Sequence, residues 1–316
     1  MPTTQLEPIE EQSSQTSPRR SISPSWPLPS FGALVTISII VWWTSLASLL
    51  ALALHDDQYT HILLILPVSA SLILLEWESP KRSSASSSIF GSALMVLAVV
   101  LSAVVRWITL ASAGAQLSLS MLALVAWWIA AFNLCFGTGA LRRVLFPLGF
   151  LFWIIPLPPV ALNACVTFLQ RGSAAAAHLF FAAAGIPVAQ RGLLLHIPGL
   201  TLLVAPECSS IRSSMMLVVT TMVLAHLLLR SLPRKILIVA LAIPLSIAKN
   251  GLRIFTLGAL AIRVDPGFLT GRLHREGGII FFLVALAAIF LGLWVLRRGE
   301  QAKRSANLPL EGTSTT

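Results

Sequence analysis

Long apolar runs alternate along this chain with short breaks that are polar and rich in Arg and Lys. A helix needs about 20 apolar residues to cross the hydrocarbon core of a bilayer. Eight runs fit that template: 31–54, 62–77, 89–110, 117–136, 141–156, 211–229, 236–257 and 277–296, with 62–77 and 141–156 short. The stretch between Pro156 and Pro206 has a different pattern. Its Ala-rich first part, 160–184, reads as a helix lying at the interface or as a re-entrant segment. Its second part carries turn residues at Gly192 and Pro198-Gly199. Around them run alternating residues such as those of 193–197, the signature of a short β-hairpin.

The two ends are polar. Residues 1–29 are rich in Ser, Thr, Pro, Gln and Glu, too little apolar surface to fold, and read as a disordered tail. They lack the short apolar core and cleavage site of a signal peptide, so the first apolar run is expected to stay as an anchor. The expected organisation is a tail at 1–29, a membrane domain at 30–298 with a cap segment at 157–208, and a disordered tail at 299–316.

Composition agrees. Charged residues make up 11% and hydrophobic residues 56% of the 316, whereas a soluble domain carries roughly 25% charged residues. A water-soluble globule cannot be covered with so little charge. The net charge of +10 does not indicate nucleic acid, because the basic residues cluster in short loops beside apolar runs. Arg19-Arg20, Lys81-Arg82, Arg142-Arg143, Arg230 with Arg234-Lys235, and Arg297-Arg298 with Lys303-Arg304 fall on one side when eight spans are counted. By the positive-inside rule that side is cytoplasmic. The outer side then holds 55–61, 111–116, 157–210 and 263–276. The expected fold is an all-α polytopic membrane protein of about eight helices, with an outer-face segment that contains the hairpin.

Three residues at the outer face carry candidate chemistry. Cys208 follows Pro206 and precedes Ser209 and Ser210, at the start of the sixth apolar run. Backbone N–H groups and the dipole at a helix start favour thiolate, the reactive form. They could also hold a carbonyl oxyanion. Arg212, four residues on, lies one turn along the same face. Arg253 is roughly 25–28 Å along the seventh helix at 1.5 Å per residue, near the outer surface. Lys249 and Asn250 share its face, and three such residues inside an apolar helix are costly enough to mark a site. His274 lies just before the eighth run, and imidazole suits proton transfer to and from a thiol or an amine. Cys135 and Cys165 read as small buried hydrophobes, and His226 as a residue satisfied within the bundle. Three cysteines without a CxxC argue against a disulfide framework or a zinc site, and no cofactor or metal is expected.

The order of these motifs resembles the exosortase/archaeosortase family of membrane transpeptidases, from about Trp42 to the end of the eighth run. The resemblance rests on 55–61 with Leu66-Pro67, on Phe146-Pro147 through 155–158, and on 185–188 with the hairpin. It rests further on 205–213 around Cys208, on 250–253 ending at Arg253, and on His274. Ser210 stands where the family commonly has Gly, and Arg275 where it commonly has Asp.

The resemblance implies that Cys208 is the nucleophile, Arg253 the stabiliser of oxyanion or substrate, and His274 the acid–base partner. Arg212, Asn250, Lys249 and Ser209 would bind substrate or support the site. It implies a thiol protease and transpeptidase of the bacterial inner membrane, with its site facing the periplasm or exterior. The implied substrates are secreted proteins that end in a short motif of the PEP-CTERM kind, a transmembrane helix and a basic tail. Their chains would be cleaved through a thioester and passed to an acceptor. The rival reading is a transporter or lipid-carrier protein that binds an anionic substrate at Lys249, Asn250 and Arg253. It expects Cys208 to be dispensable and polar residues to continue across the membrane.

Overall fold

The computed structural model describes residues 27–77, 87–107, 112–204, 211–269 and 277–306. It is an all-helical membrane bundle with one small sheet. The helices are α1 (Pro27–Val41), α2 (Trp43–His55), α3 (Ile62–Glu76), α4 (Ser87–Trp107), α5 (Ala113–Arg143), α6 (Leu145–Phe150), α7 (Pro159–Ala183), α8 (Ile211–Leu228), α9 (Leu232–Arg263) and α10 (Gly278–Ala306). Among the described residues, six helical segments are long and apolar enough to cross a membrane, and up to eight if each of two bent pairs is one span. The first apolar run, expected as one helix, is such a pair: α1 and α2 meet at Trp42 at an angle of 74°. The second pair contains the Ala-rich stretch. There α7 is turned by 93° from the preceding 145–154.

The α5 helix is the axis of the first half. Met121, Leu124, Val125, Ala130 and Ala131 on it are fully buried, and α4 and α1 pack along it. Its Gly137 has φ +85° and ψ 168°, a break in the helix that a side chain would strain. Two buried serines serve carbonyls of the proline-rich stretch after α5. Ser69 Oγ donates to the Pro147 carbonyl and Ser118 Oγ to the Pro156 carbonyl, both at 2.7 Å. In an apolar bundle such carbonyls must find protein partners.

The second half is organised by α9, which takes helices on several faces. On one side α10 runs antiparallel to it in constant register. Arg234 Nη1 donates to the Leu296 carbonyl at 2.8 Å, Gly292 faces Ile238, and Gly278 faces Arg253, so each step along one helix matches a step back on the other. Against another side lies α7, in parallel. Gly172 meets Ile247, Gly251 meets Ala176 and Ala177, and Gly258 meets Phe181. Small residues let membrane helices approach this closely.

The cap sheet has three strands rather than the two of a hairpin: β1 (Ala189–Arg191), β2 (Leu194–Ile197) and β3 (Leu200–Leu203), antiparallel in that order. Gly192 (φ +62°) and Gly199 (φ +76°) make the two turns. In β2, Leu195 and Ile197 are buried while Leu194 and His196 are exposed, the alternation of a half-buried strand. The buried face packs with Ala174, Ala177 and Phe181 of α7 and with Ile254 of α9. The sheet therefore marks one end of the bundle. Arg142, Arg143, Arg230 and Arg234 cluster at the other, where Phe146 stacks on His226 at 3.8 Å. The segment 299–316, expected as a tail, begins as helix: α10 continues to Ala306.

Candidate active site

Of the residues singled out in the sequence, Arg253, Lys249, Asn250 and Arg212 lie among those described. Cys208, Ser209 and His274 lie outside the described residues. The same holds for Ser210 and Arg275. The site is therefore built from the helices and strands that border them.

Val204, at the exit of β3, is 1% exposed. Its N–H donates to the Leu193 carbonyl at 2.9 Å, and its carbonyl accepts from Gln170 Nε2 of α7 at 3.1 Å. A buried glutamine thus pins the chain just ahead of 205–210. On the far side of that segment Ile211 opens α8 and is buried. The next turn of α8 is fastened to α9: Lys249 Nζ donates to Ser213 Oγ, and Ser246 Oγ donates to Ser214 Oγ at 2.5 Å. The two helices run antiparallel through these pairs.

Lys249 is 6% exposed and Asn250 is fully buried. Burying an ammonium is costly unless polar groups receive it, and Ser213 is placed to do so. One turn beyond Lys249 comes Arg253, half-buried. Its Nη1 lies 3.7 Å and its Cζ 3.9 Å from the position a Cβ would occupy on Gly278. Gly278 is the first residue of α10, four residues after His274. The absence of a side chain there leaves the guanidinium room against the helix start.

Arg212 points elsewhere. It pairs with Asp57 at 2.8 Å, in the loop between α2 and α3, and both side chains are largely exposed. Asp57 belongs to a tight turn in which Asp56 Oδ1 accepts from the Gln58 N–H at 2.9 Å. The ion pair therefore ties the 56–61 loop to the first turn of α8.

Between that loop and α8 is a cavity of about 290 Å³, lined in part by Tyr59, Trp153, Cys165 and Met215. Sequence reasoning did not anticipate this cavity, Gln170, or the partnership of Ser213 with Lys249. The available signal for the last was a serine pair opening an apolar helix, opposite a Ser and a Lys three residues apart on another. Cys135 packs against the first core. His226, expected to be satisfied in the bundle, meets Glu76 Oε1 through Nε2 at 2.5 Å, far from the sheet end. Among the described residues no group of three or more His, Cys, Asp or Glu is arranged to hold a metal ion.

This arrangement brings together fixed cationic and hydrogen-bonding groups on α9, the start of α8 and the start of α10 at the sheet end. Such a set can hold a carboxylate or a developing oxyanion. No curated protein and no solved structure matches the chain. The model of the transmembrane exosortase family matches residues 42–291, and the chain belongs to that family.

Proposed function

We propose that the chain is a membrane-embedded cysteine peptidase and transpeptidase that removes C-terminal sorting signals from secreted proteins. Membership of the transmembrane exosortase family supports a membrane protease or transpeptidase role in general. The observation that carries the finer reading is the position of Arg253. It stands beside the first residue of α10, four residues from His274. It also stands one turn beyond the Lys249–Ser213 bond, and Ser213 is five residues after Cys208 in the sequence.

In this reading the Cys208 thiolate attacks the carbonyl carbon of the scissile peptide. The oxyanion is held by the Arg253 guanidinium, which can bind two oxygens at once. Collapse breaks the C–N bond, and His274 gives its proton to the leaving amine. The thioester then passes its acyl group to an acceptor nucleophile, with His274 taking the acceptor's proton, or to water. Ser209 and Arg212 bind substrate or support the site, and the buried Lys249 and Asn250 support it from within α9. The sheet end faces the periplasm or exterior and the arginine-rich end the cytoplasm, as the positive-inside rule expects of a bacterial inner-membrane protein.

The transporter reading needs a polar path through the membrane. Residues 236–248 of α9 hold Ser246 as their one polar side chain, and Ser246 is spent on Ser214. The test is to express Cys208→Ala and Cys208→Ser with a secreted protein that ends in a short motif, a span and an Arg-rich tail. Both variants should insert and leave the tail uncut, and the native enzyme should yield a hydroxylamine-sensitive thioester. Normal processing by either variant would falsify the mechanism.

A further inference from the structure

We infer that the cavity between the 56–61 loop and α8 is a substrate subsite. It receives an apolar side chain of the polypeptide next to the scissile bond. The inference rests on the peptidase reading for the identity of its occupant. One wall is Ile211 and Met215, on the first turns of α8. Ile211 is three residues past Cys208 in the sequence, and the peptidase reading puts the scissile bond at Cys208. The other walls are Phe152 and Trp153 ahead of α7, and Leu162 and Cys165 on α7. This lining is apolar and aromatic, the make-up of pockets that bury a side chain and use few polar groups for orientation.

Polar groups come from the 56–61 loop as Tyr59, His61 and Gln58, and the one that bears on the occupant is Gln58. Its Oε1 is buried and accepts no hydrogen bond within the described residues. The residue is held from both sides: its N–H donates to Asp56 Oδ1, and its carbonyl accepts from His61 Nδ1 at 3.2 Å. The adjacent Asp57 is clamped to Arg212 of α8. A buried acceptor on a backbone held in this way calls for a donor on the occupant. A backbone N–H of a peptide supplies one, whereas a lipid acyl chain has none and would leave the oxygen orphaned. The occupant is therefore peptide, with its side chain in the cavity and an N–H on Gln58.

Cys165 lines the cavity and is a free, half-buried thiol, which gives a readout that needs no catalysis. In a Cys135→Ala, Cys208→Ser protein it is the last of the three cysteines. The protein is reconstituted in phosphatidylethanolamine–phosphatidylglycerol vesicles and labelled with N-ethylmaleimide. The probe is a synthetic peptide with motif, apolar helix and basic end, taken from a secreted protein of the same genome. Saturating peptide should slow labelling of Cys165 about tenfold, and Gln58→Leu and Met215→Trp should each weaken that protection about tenfold in peptide concentration. With Cys208 restored, the same changes should raise KM and leave kcat close to native. If Met215→Trp does not fold, Gln58→Leu carries the test. Unchanged labelling with peptide, while native enzyme cuts that peptide, overturns the subsite and leaves the peptidase reading standing. Slow labelling in peptide-free vesicles that becomes fast in detergent assigns the cavity to lipid and also overturns it.

Discussion

Replacing Gly251 by Ala should separate α7 from α9 and disable the protein. A Cβ at this position would lie 2.5 Å from Ala176 Cβ, 2.9 Å from the Ala177 nitrogen and 3.0 Å from the Ala176 carbonyl carbon. Carbon atoms rest comfortably at about 3.5–4.0 Å, so the two backbones must part by about 1 Å. No flexible side chain is available to yield. Overpacking of this kind costs about 1–3 kcal/mol, against which Ala in place of a helical Gly returns at most about 1 kcal/mol. With the full return the net is a loss of up to about 2 kcal/mol. At Gly32 a Cβ meets nothing within 4 Å, so Gly32→Ala isolates the propensity gain. Thermal unfolding of the two variants in the same detergent should show Gly251→Ala melting below native and Gly32→Ala at or above it. Processing should suffer too, since Gly251 sits between Asn250 and Arg253 and a 1 Å misplacement can cost about 100-fold in rate. Equal melting temperatures for the two variants would refute the claim that this seam is closed by the missing side chain.

Other outcomes separate the chemistry from the scaffold. Arg253→Lys keeps the charge and loses the fork, and should lower the rate of tail cleavage by about 100-fold or more with little change in melting temperature; cleavage within tenfold of native would speak for a simple counter-charge. Glu76→Ala leaves His226 without its partner at the arginine-rich end. It should destabilise by about 1–3 kcal/mol, while the remaining folded enzyme cuts at the native rate, a split read by comparing melting curves with activity per folded molecule. Asp57→Asn breaks an exposed pair and should cost less than about 1 kcal/mol; a large drop in melting temperature would contradict that.

Much of the fold was legible because membrane crossing imposes a length and a composition. The apolar runs that give α3, α4, α8, α9 and α10 could be read directly, as could the turns at Gly192 and Gly199, where positive φ calls for glycine. The bend at Trp42 was not legible, since neither Gly nor Pro marks it. Gly137 falls just past the end of the run at 117–136, and what was not legible is that helix resumes beyond it as far as Arg143. The third strand was missed although both turns were seen, because the stretches that flank them are only three or four residues long. In the candidate site, Arg253, Lys249 and Asn250 stood out as polar residues in an apolar helix. Their neighbours did not, because long-range pairing leaves no local trace. Arg212 and Asp57 are 155 positions apart, and Lys249 and Ser213 are 36 apart.

Glu300 gives the far end of α10 a practical meaning. Its carboxylate accepts from the Arg230 and Ser231 N–H groups at 3.1 and 2.9 Å, and lies 3.7 Å from Arg234. The last helix thereby caps the start of α9, the helix that carries Arg253. Reporter fusions that map which side of the membrane each end occupies are commonly joined just after the final apolar run. A junction at 298 would remove this carboxylate and its bonds to the Arg230 and Ser231 N–H groups just ahead of α9, so a silent reporter there would confuse misassembly with orientation. A junction after Ala306 retains the cap and reads orientation alone.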